Sequence, residues 1–402
     1  MSMAVSLGGT RALCALIAVS ALTACSSDVR SAPAPESEQS GAGVSATPLS
    51  TSTTLPPTPG VPACGDGQAM LATMSTRDRL AQLLMVGVTG ADDARAVVDQ
   101  QHVGGIMIGS WTDLGMLSDG TMPALADTPA PLPPAVSVDE EGGRVSRLAN
   151  IIGAQPSPRV LAQTNTPAQV RDIAFQRGQA MRGLGITVDF APVVDVTTES
   201  DDEVIGDRSF GSDPAKVTEY AGAYAQGLRD AGVLPVLKHF PGHGHASGDS
   251  HEGGVVTPPI ADLQANDLIP YRTLTTQAPV AVMVGHMQVP GLTGSDPASL
   301  SPAAYDLLRS GGYGGPGFNG LVFTDDLSSM GAINQRYGVA EAVLRSLQAG
   351  ADVALWITTD EVPAVLDRLE SAVNGGELDM GRVDGSVLKL AGTKGRSPRC
   401  AG

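Results

Sequence analysis

The feature that most constrains this chain is an alternation running from about residue 66 to 395, in which short apolar runs end in glycine or a polar residue and amphipathic stretches follow. The apolar runs fall at 83–88, 105–109, 135–138, 187–193, 234–239, 280–286, 320–324 and 352–357. Most are almost continuously apolar, which is the pattern of parallel strands covered on both faces. The amphipathic stretches carry their own boundary signals. Thr166-Pro167 supplies an N-cap and a first-turn proline ahead of a stripe of Val170, Ile173, Ala174 and Met181. Asp213-Pro214 repeats the device ahead of Val217, Ala221, Tyr224 and Leu228, with Gly232 as the stop. Val339, Val343 and Leu347 form a third stripe, closed by Gly350. Eight strands alternating with helices predict an α/β fold, a TIM-like (β/α)8 barrel in a single domain. A doubly wound open sheet shares the alternation, but no Gly-rich phosphate loop follows the first strand. Apolar residues make up 42% of the chain and aromatics only 3%, so the core rests on Ala, Val, Leu and Ile.

The two ends read differently. Residues 1–24 resemble an export signal: Arg11 precedes an apolar run at 12–19 that is too short to span a membrane as a mature helix. The run leads to Leu22-Thr23-Ala24-Cys25, which resembles the lipobox of bacterial lipoproteins. That resemblance implies cleavage before Cys25 and lipid on Cys25, an anchor contributing ~0.8 kcal/mol per buried CH₂. A plain secretory signal with a chance cysteine is the alternative. Residues 25–63 are rich in Ser, Pro, Thr and Ala and nearly lack large apolar side chains, which predicts a disordered tether. Its Thr-Pro pattern would accept O-glycans or stay an undecorated spacer. The folded domain is expected over 64–402. Cys14 leaves with the signal, so Cys64 and Cys400 remain, one at each edge of the folded part, in a compartment where disulfides persist. If the ends meet, a Cys64–Cys400 bridge would close nearly the whole domain; two free thiols are the other reading.

The formal charge is −17, from 25 Lys+Arg against 42 Asp+Glu. Such acidity argues against nucleic acid or anionic headgroups as main partners. In a barrel, chemistry belongs at the carboxyl ends of the strands. Polar residues gather there: Asp139 after the third, Lys238 and His239 at the fifth, His286 at the sixth, Asp325 and Asp326 at the seventh. The densest segment runs from Lys238 to His251 and holds four of the six histidines on a Gly-rich loop. Two chemistries fit it. His243, His245 and His251 with Asp249 would make a zinc site, although so many glycines fix ligands poorly and no HExxH-type helix is present. Alternatively, Asp249 reaches the imidazole of His251 within a tight turn, sets its tautomer and stabilises the imidazolium, which suits acid–base work near neutral pH. At Asp325-Asp326, strand alternation lets only one carboxylate face the mouth as a nucleophile, the other capping the helix after the strand, and does not say which. Asp139 either accepts hydrogen bonds from hydroxyls or braces its loop through Arg144. Arg208, after the fourth strand, offers a fork of donors.

Four segments in this order, VDEEGGRVSRL, IGDRSFGSDP, KHFPGHGHASGDSH and VFTDDLSSMGAI, resemble family 3 glycoside hydrolases, and within them the single-domain β-N-acetylglucosaminidases. With the lipobox, the chain is similar to the lipoprotein members found in mycobacteria and related actinobacteria. The resemblance implies a retaining glycosidase on a TIM-like barrel, with no metal and no cofactor. On this match Asp325 would be the nucleophile. His251, backed by Asp249, would be the general acid/base. Asp139, Arg208, Lys238 and His239 would bind the sugar. Two departures, Glu140 where Gln is common and His245 where Asp is common, touch no expected reacting atom. Relatives with β-glucosidase activity usually add a second domain, for which the 45 residues after Ile357 leave no room. The expected substrates are peptidoglycan fragments in which N-acetylglucosamine is linked to N-acetylmuramic acid, in cell-wall turnover. The expected partners are therefore amino sugars and, through the lipid, a membrane. A monomer is expected, held at the outer face of the cytoplasmic membrane or shed from it. The rivals are a phosphorylase or β-glucosidase of the same family, and a non-catalytic sugar-binding lipoprotein.

Overall fold

The eight apolar runs become eight strands: β1 (Leu84–Val88), β2 (Gly105–Ile108), β3 (Ala135–Val138), β4 (Val188–Asp189), β5 (Leu234–Phe240), β6 (Ala281–Val284), β7 (Val322–Asp326) and β8 (Val353–Trp356). This computed structural model describes residues 67–394 apart from position 129, so the expected signal, tether, Cys25 and the Cys64–Cys400 pair lie outside the described residues. The strands pair in parallel in chain order, and β8 returns to β1 with Val86 opposite Trp356, closing the barrel. Every residue of β1, β2, β3, β5, β6 and β8 is buried, as strands covered on both faces require. Each Val, Leu or Ile so covered contributes about 1.5–3 kcal/mol relative to exposure.

The helices form where their caps placed them. Thr166 and Gln169 complete a capping box at the start of the Pro167–Gly183 helix. Asp213 accepts from the Ala215 N–H ahead of the Pro214–Asp230 helix. These two helices pack closely because Gly227 has no side chain; a Cβ there would sit 2.3 Å from the Arg171 carbonyl oxygen.

The fourth strand departs from expectation. Its ladder pairing covers only Val188–Asp189 instead of 187–193. Phe190 and Ala191 still bond the flanking strands, but Pro192 has no N–H to donate, and beyond it the pairing is reduced to an isolated bridge between Val193 and Lys238. Two small sheets were also not announced by the sequence: a hairpin of Glu140–Gly142 with Val145–Ser146, and Val255–Val256 beside Met287–Gln288.

Phe190, just after β4, meets Phe323 of β7 edge to face with ring centroids 5.6 Å apart. The two strands are not neighbours in the ring, so the contact runs through the barrel interior. Phe323 therefore points inward. The ladder with β8 shifts register between Phe323 and Asp326, so the two-residue period of a strand does not carry across to the two carboxylates.

Candidate active site

The cavity lining and the hydrogen bonds settle the ambiguity at the end of β7. Asp325 lines a cavity of about 170 Å³ at the barrel mouth. Asp326 instead takes the Ser328 N–H and Oγ, both at 2.8 Å, together with the Ser329 N–H and hydroxyl. It braces the turn after β7 and caps no helix: the helix that follows, Gly331–Asn334, starts at Met330 without a side-chain cap. Burial by itself would raise the Asp325 carboxyl. The imidazoles of His286 and His239, the Asp326 N–H and the Lys238 ammonium outweigh it and hold the group at about 2. The carboxylate is thus ionised at any working pH while still open to the cavity. His286, at the end of β6, is fully buried, with its ring bridging the Ser299 hydroxyl and the Asp326 carbonyl oxygen, both at 2.7 Å. It braces the end of β7 from behind.

The cavity floor is a buried ionic lattice. Lys238 Nζ donates to Asp139 Oδ1 at 2.7 Å and stands 2.6 Å from Glu141 Oε1. Arg208 grips Glu141 with two parallel bonds of 2.8 and 2.9 Å. Glu141 has no exposed side-chain surface and Lys238 only 3%, so desolvation is severe and the pairing must be near complete. Burial would raise the Glu141 carboxyl, but Arg208 and Lys238 drive it well below the usual carboxylate range. Lys238 is raised in turn, its two carboxylates outweighing its own burial. The expected brace between Asp139 and Arg144 is not made. Arg144 turns to Asp207 at 2.9 Å and leaves Asp139 to Lys238 and the cavity.

The sequence reasoning passed over several of these residues. Glu141 lies two positions after Asp139, so the pleat puts both on Lys238's side, and that spacing was the available signal. Glu140, between them, faces the other way. It is fully buried, pairs with Arg177, and accepts from the Ser146 hydroxyl and the backbone N–H groups of Arg147 and Leu148 at 2.6–2.9 Å. Asp195 was also missed. It bonds His239 Nδ1 at 2.7 Å and the His243 N–H at 2.8 Å, fixing both the imidazole and the start of the Gly-rich loop. Asp189, at the end of β4, is pushed well above the usual range, chiefly by burial and also by the nearby Glu140 and Asp139 carboxylates.

The loop after β5 supplies the wall. His251 Nδ1 lies 2.7 Å from Asp249 Oδ1, and the His251 N–H donates to the same oxygen at 2.9 Å. This is the tight turn expected from the spacing. His251 keeps 63% of its side chain exposed while lining the cavity, whereas Asp249 stands behind it. The three histidines of the alternative zinc reading do not converge. His243 contacts Ser250, His245 pairs with Asp267 at 2.9 Å, and His251 turns to Asp249. Among the described residues no group of three or more His, Cys, Asp or Glu side chains is placed to share an ion. Arg147 lines the cavity as well, and its buried Nε has no partner. Leaving such a donor unsatisfied costs about 1–3 kcal/mol.

The structure therefore brings Asp139, Arg208, Lys238, His239, His251 and Asp325 around one cavity, with Asp249 holding His251. A larger cavity, of about 280 Å³, lies around Asp352, ahead of β8 at the opposite end of the barrel. Its carboxylate is taken by Arg309 at 2.6 Å and Lys389 at 3.0 Å. Charges at that end of a barrel brace the fold.

Carboxylates and cations locked to one another, with free edges toward the space between them, suit a neutral ligand bearing many hydroxyls. An ionised acid and a carboxylate-backed imidazole over that space suit cleavage of an acetal. A sugar-processing barrel hydrolase is the class that this fold and cavity define. The family described as "Glycosyl hydrolase family 3 N terminal domain" matches residues 75–392. The chain is 65% identical over 363 residues to the β-hexosaminidase LpqI of Mycobacterium tuberculosis, a match covering 88% of this chain and 93% of that protein. Among solved structures, a family 3 glycosyl hydrolase from Mycobacterium smegmatis superposes with a TM-score of 0.80 at 76% identity, covering 80% of this chain and 98% of that one. A family 3 β-N-acetylglucosaminidase from Paenibacillus gives a TM-score of 0.73 at 33% identity, covering 80% of this chain and 62% of that one. The chain belongs to glycoside hydrolase family 3 and is a glycoside hydrolase.

Proposed function

We propose that this β-N-acetylhexosaminidase-type enzyme removes terminal β-linked N-acetylglucosamine from peptidoglycan fragments, in which that sugar is joined to N-acetylmuramic acid. The observation that carries the reading is the meeting of Asp325 and the Asp249–His251 pair at one cavity over a buried floor of sugar-binding polarity. Kinship with the mycobacterial β-hexosaminidase supports the same reading.

Asp325 attacks the anomeric carbon as the bond to the leaving oxygen breaks. His251 gives that oxygen its proton, and a glycosyl-aspartate forms. The neutral His251 then takes a proton from water, the resulting hydroxide attacks the same carbon, and the sugar leaves with its configuration retained. The usual retaining pair is two carboxylates. An imidazole in the acid's place is neutral once it has given up its proton. Asp139, Lys238, Arg208 and His239 hold the sugar hydroxyls while this happens. Lipid at Cys25 would keep the enzyme in the envelope, beside its substrate; the sequence Leu22-Thr23-Ala24-Cys25 supports that placement.

The test is product analysis on the purified disaccharide. The first product followed by NMR should be the β-anomer of free N-acetylglucosamine, and added phosphate should leave the products unchanged. Sugar 1-phosphate in the presence of phosphate would replace hydrolysis with phosphorolysis. Release of the α-anomer would end the role of Asp325 as nucleophile.

A further inference from the structure

The charged side chains at the cavity largely answer one another. Lys238 and Arg208 take Asp139 and Glu141, Asp195 takes His239, and Asp249 takes His251. Arg147 is left over. Its guanidinium pairs with no carboxylate among the described residues, and its buried Nε has no partner. It does not serve the floor, whose acids are already engaged. The side chains that hold Asp325 low are His286, His239 and Lys238, and Arg147 is not among them.

The backbone of Arg147 is nevertheless firmly set. Its N–H and that of Leu148 both donate to Glu140 Oε2, at 2.8 and 2.9 Å, and Glu140 is gripped by Arg177. A rigid base thus carries a free fork of five donors toward a cavity it shares with His251. A terminal N-acetylglucosamine is neutral and gives that cation no counter-charge. The sugar beyond the scissile bond does: N-acetylmuramic acid bears a carboxylate on its lactyl ether.

We infer that Arg147 is a specificity residue that binds a carboxylate on the sugar to which the terminal N-acetylglucosamine is linked. This rests on the substrate reading above. Planar guanidinium and carboxylate match in a bidentate pair, and the ligand would satisfy the donor that the protein leaves empty.

The experiment compares kcat/KM on the N-acetylglucosaminyl-N-acetylmuramic acid disaccharide with kcat/KM on 4-nitrophenyl β-N-acetylglucosaminide, which lacks the carboxylate. Reading the ratio within each variant cancels any partial misfolding. Arg147→Gln should lower the ratio about 30-fold, the scale of one charge-assisted pair. Arg147→Lys keeps the charge and loses the fork, so it should recover part of the ratio. A ratio unchanged in Arg147→Gln overturns the assignment, whether both activities fall together or neither falls. Wild-type enzyme that splits the nitrophenyl sugar and ignores the disaccharide overturns the substrate reading itself, and this assignment with it.

Discussion

Glu141 has no exposed side-chain surface and His251 keeps 63% of its own, yet both line the same cavity. The floor is carried on strand ends and a short hairpin, with each charge taken up by another. The wall is carried on a Gly-rich loop, with one imidazole held by one carboxylate. The floor must present fixed donors and acceptors to a sugar, so reorganisation there would only waste binding. The wall must give a proton, take one back and admit water between the two steps. A fully buried, fully paired His251 could do none of these.

That contrast breaks first at Asp325, which belongs to neither side and which the floor and His286 keep ionised. Asp325→Ala should lower kcat by roughly 10⁴-fold or more, with no covalent glycosyl-enzyme trapped by a fluorosugar and detected by mass spectrometry. Next comes the floor. Glu141→Gln strands the buried Arg208 and leaves Lys238 with Asp139 alone, and should cost about 3–5 kcal/mol in urea denaturation at neutral pH. The pH dependence has a definite sign. The folded Glu141 carboxyl titrates below its unfolded value of about 4.3, so its stabilisation is complete above that pH and fades as pH falls through the folded value. The variant should therefore lose stability at pH 7 and show a shallower further loss on the acid side. The wall should behave in the opposite way. His251→Ala should cut kcat by roughly 10²–10³-fold while leaving the urea midpoint unmoved, because the side chain packs against little. A large stability loss in His251→Ala would erase the distinction between the two sides.

How much of this was legible depends on what kind of signal each residue left. The barrel was readable because its signal repeats: apolar runs buried on both faces recur eight times, and Thr166, Asp213 and Gly350 mark helix ends by local backbone chemistry alone. The end of β4 was misjudged because apolar character continues to Val194 while Pro192 withdraws a donor; hydropathy registers the first and not the second. Asp325 and Asp326 could not be separated without knowing which face of β7 looks inward. Phe323 faces inward against Phe190, 133 positions away, but β7 shifts register before Asp326, so only the folded cavity tells the two acids apart. Glu141 and Asp195 escaped for a different reason. Glu141 sits in an acidic run that does not tell which member turns to the cavity, Asp195 stands apart from any cluster, and each gains its role only by meeting a cation or imidazole from a distant segment. The Asp249–His251 pair was legible because it is entirely local, closed within one turn.

The smallest expected effect tests that locality. Asp249 touches no reacting atom; it positions His251. Partial burial would raise its carboxyl, but the N–H and imidazole of His251 outweigh that and hold it below the usual range. A carboxyl depressed in the folded protein is ionised at every pH above its ordinary value of ~3.9, so the wild-type advantage over Asp249→Asn should stay level from about pH 4 to 8 and shrink only below that window. Its size should be about 10-fold in kcat, because a half-exposed pair shares its field with water. KM should hold steady, since the floor that binds the sugar is untouched. Should Asp249→Asn match His251→Ala, the pair acts as one unit and exposure has not weakened it. If KM rises and kcat does not, Asp249 belongs with the binding side, and the division between floor and wall fails where it looked simplest.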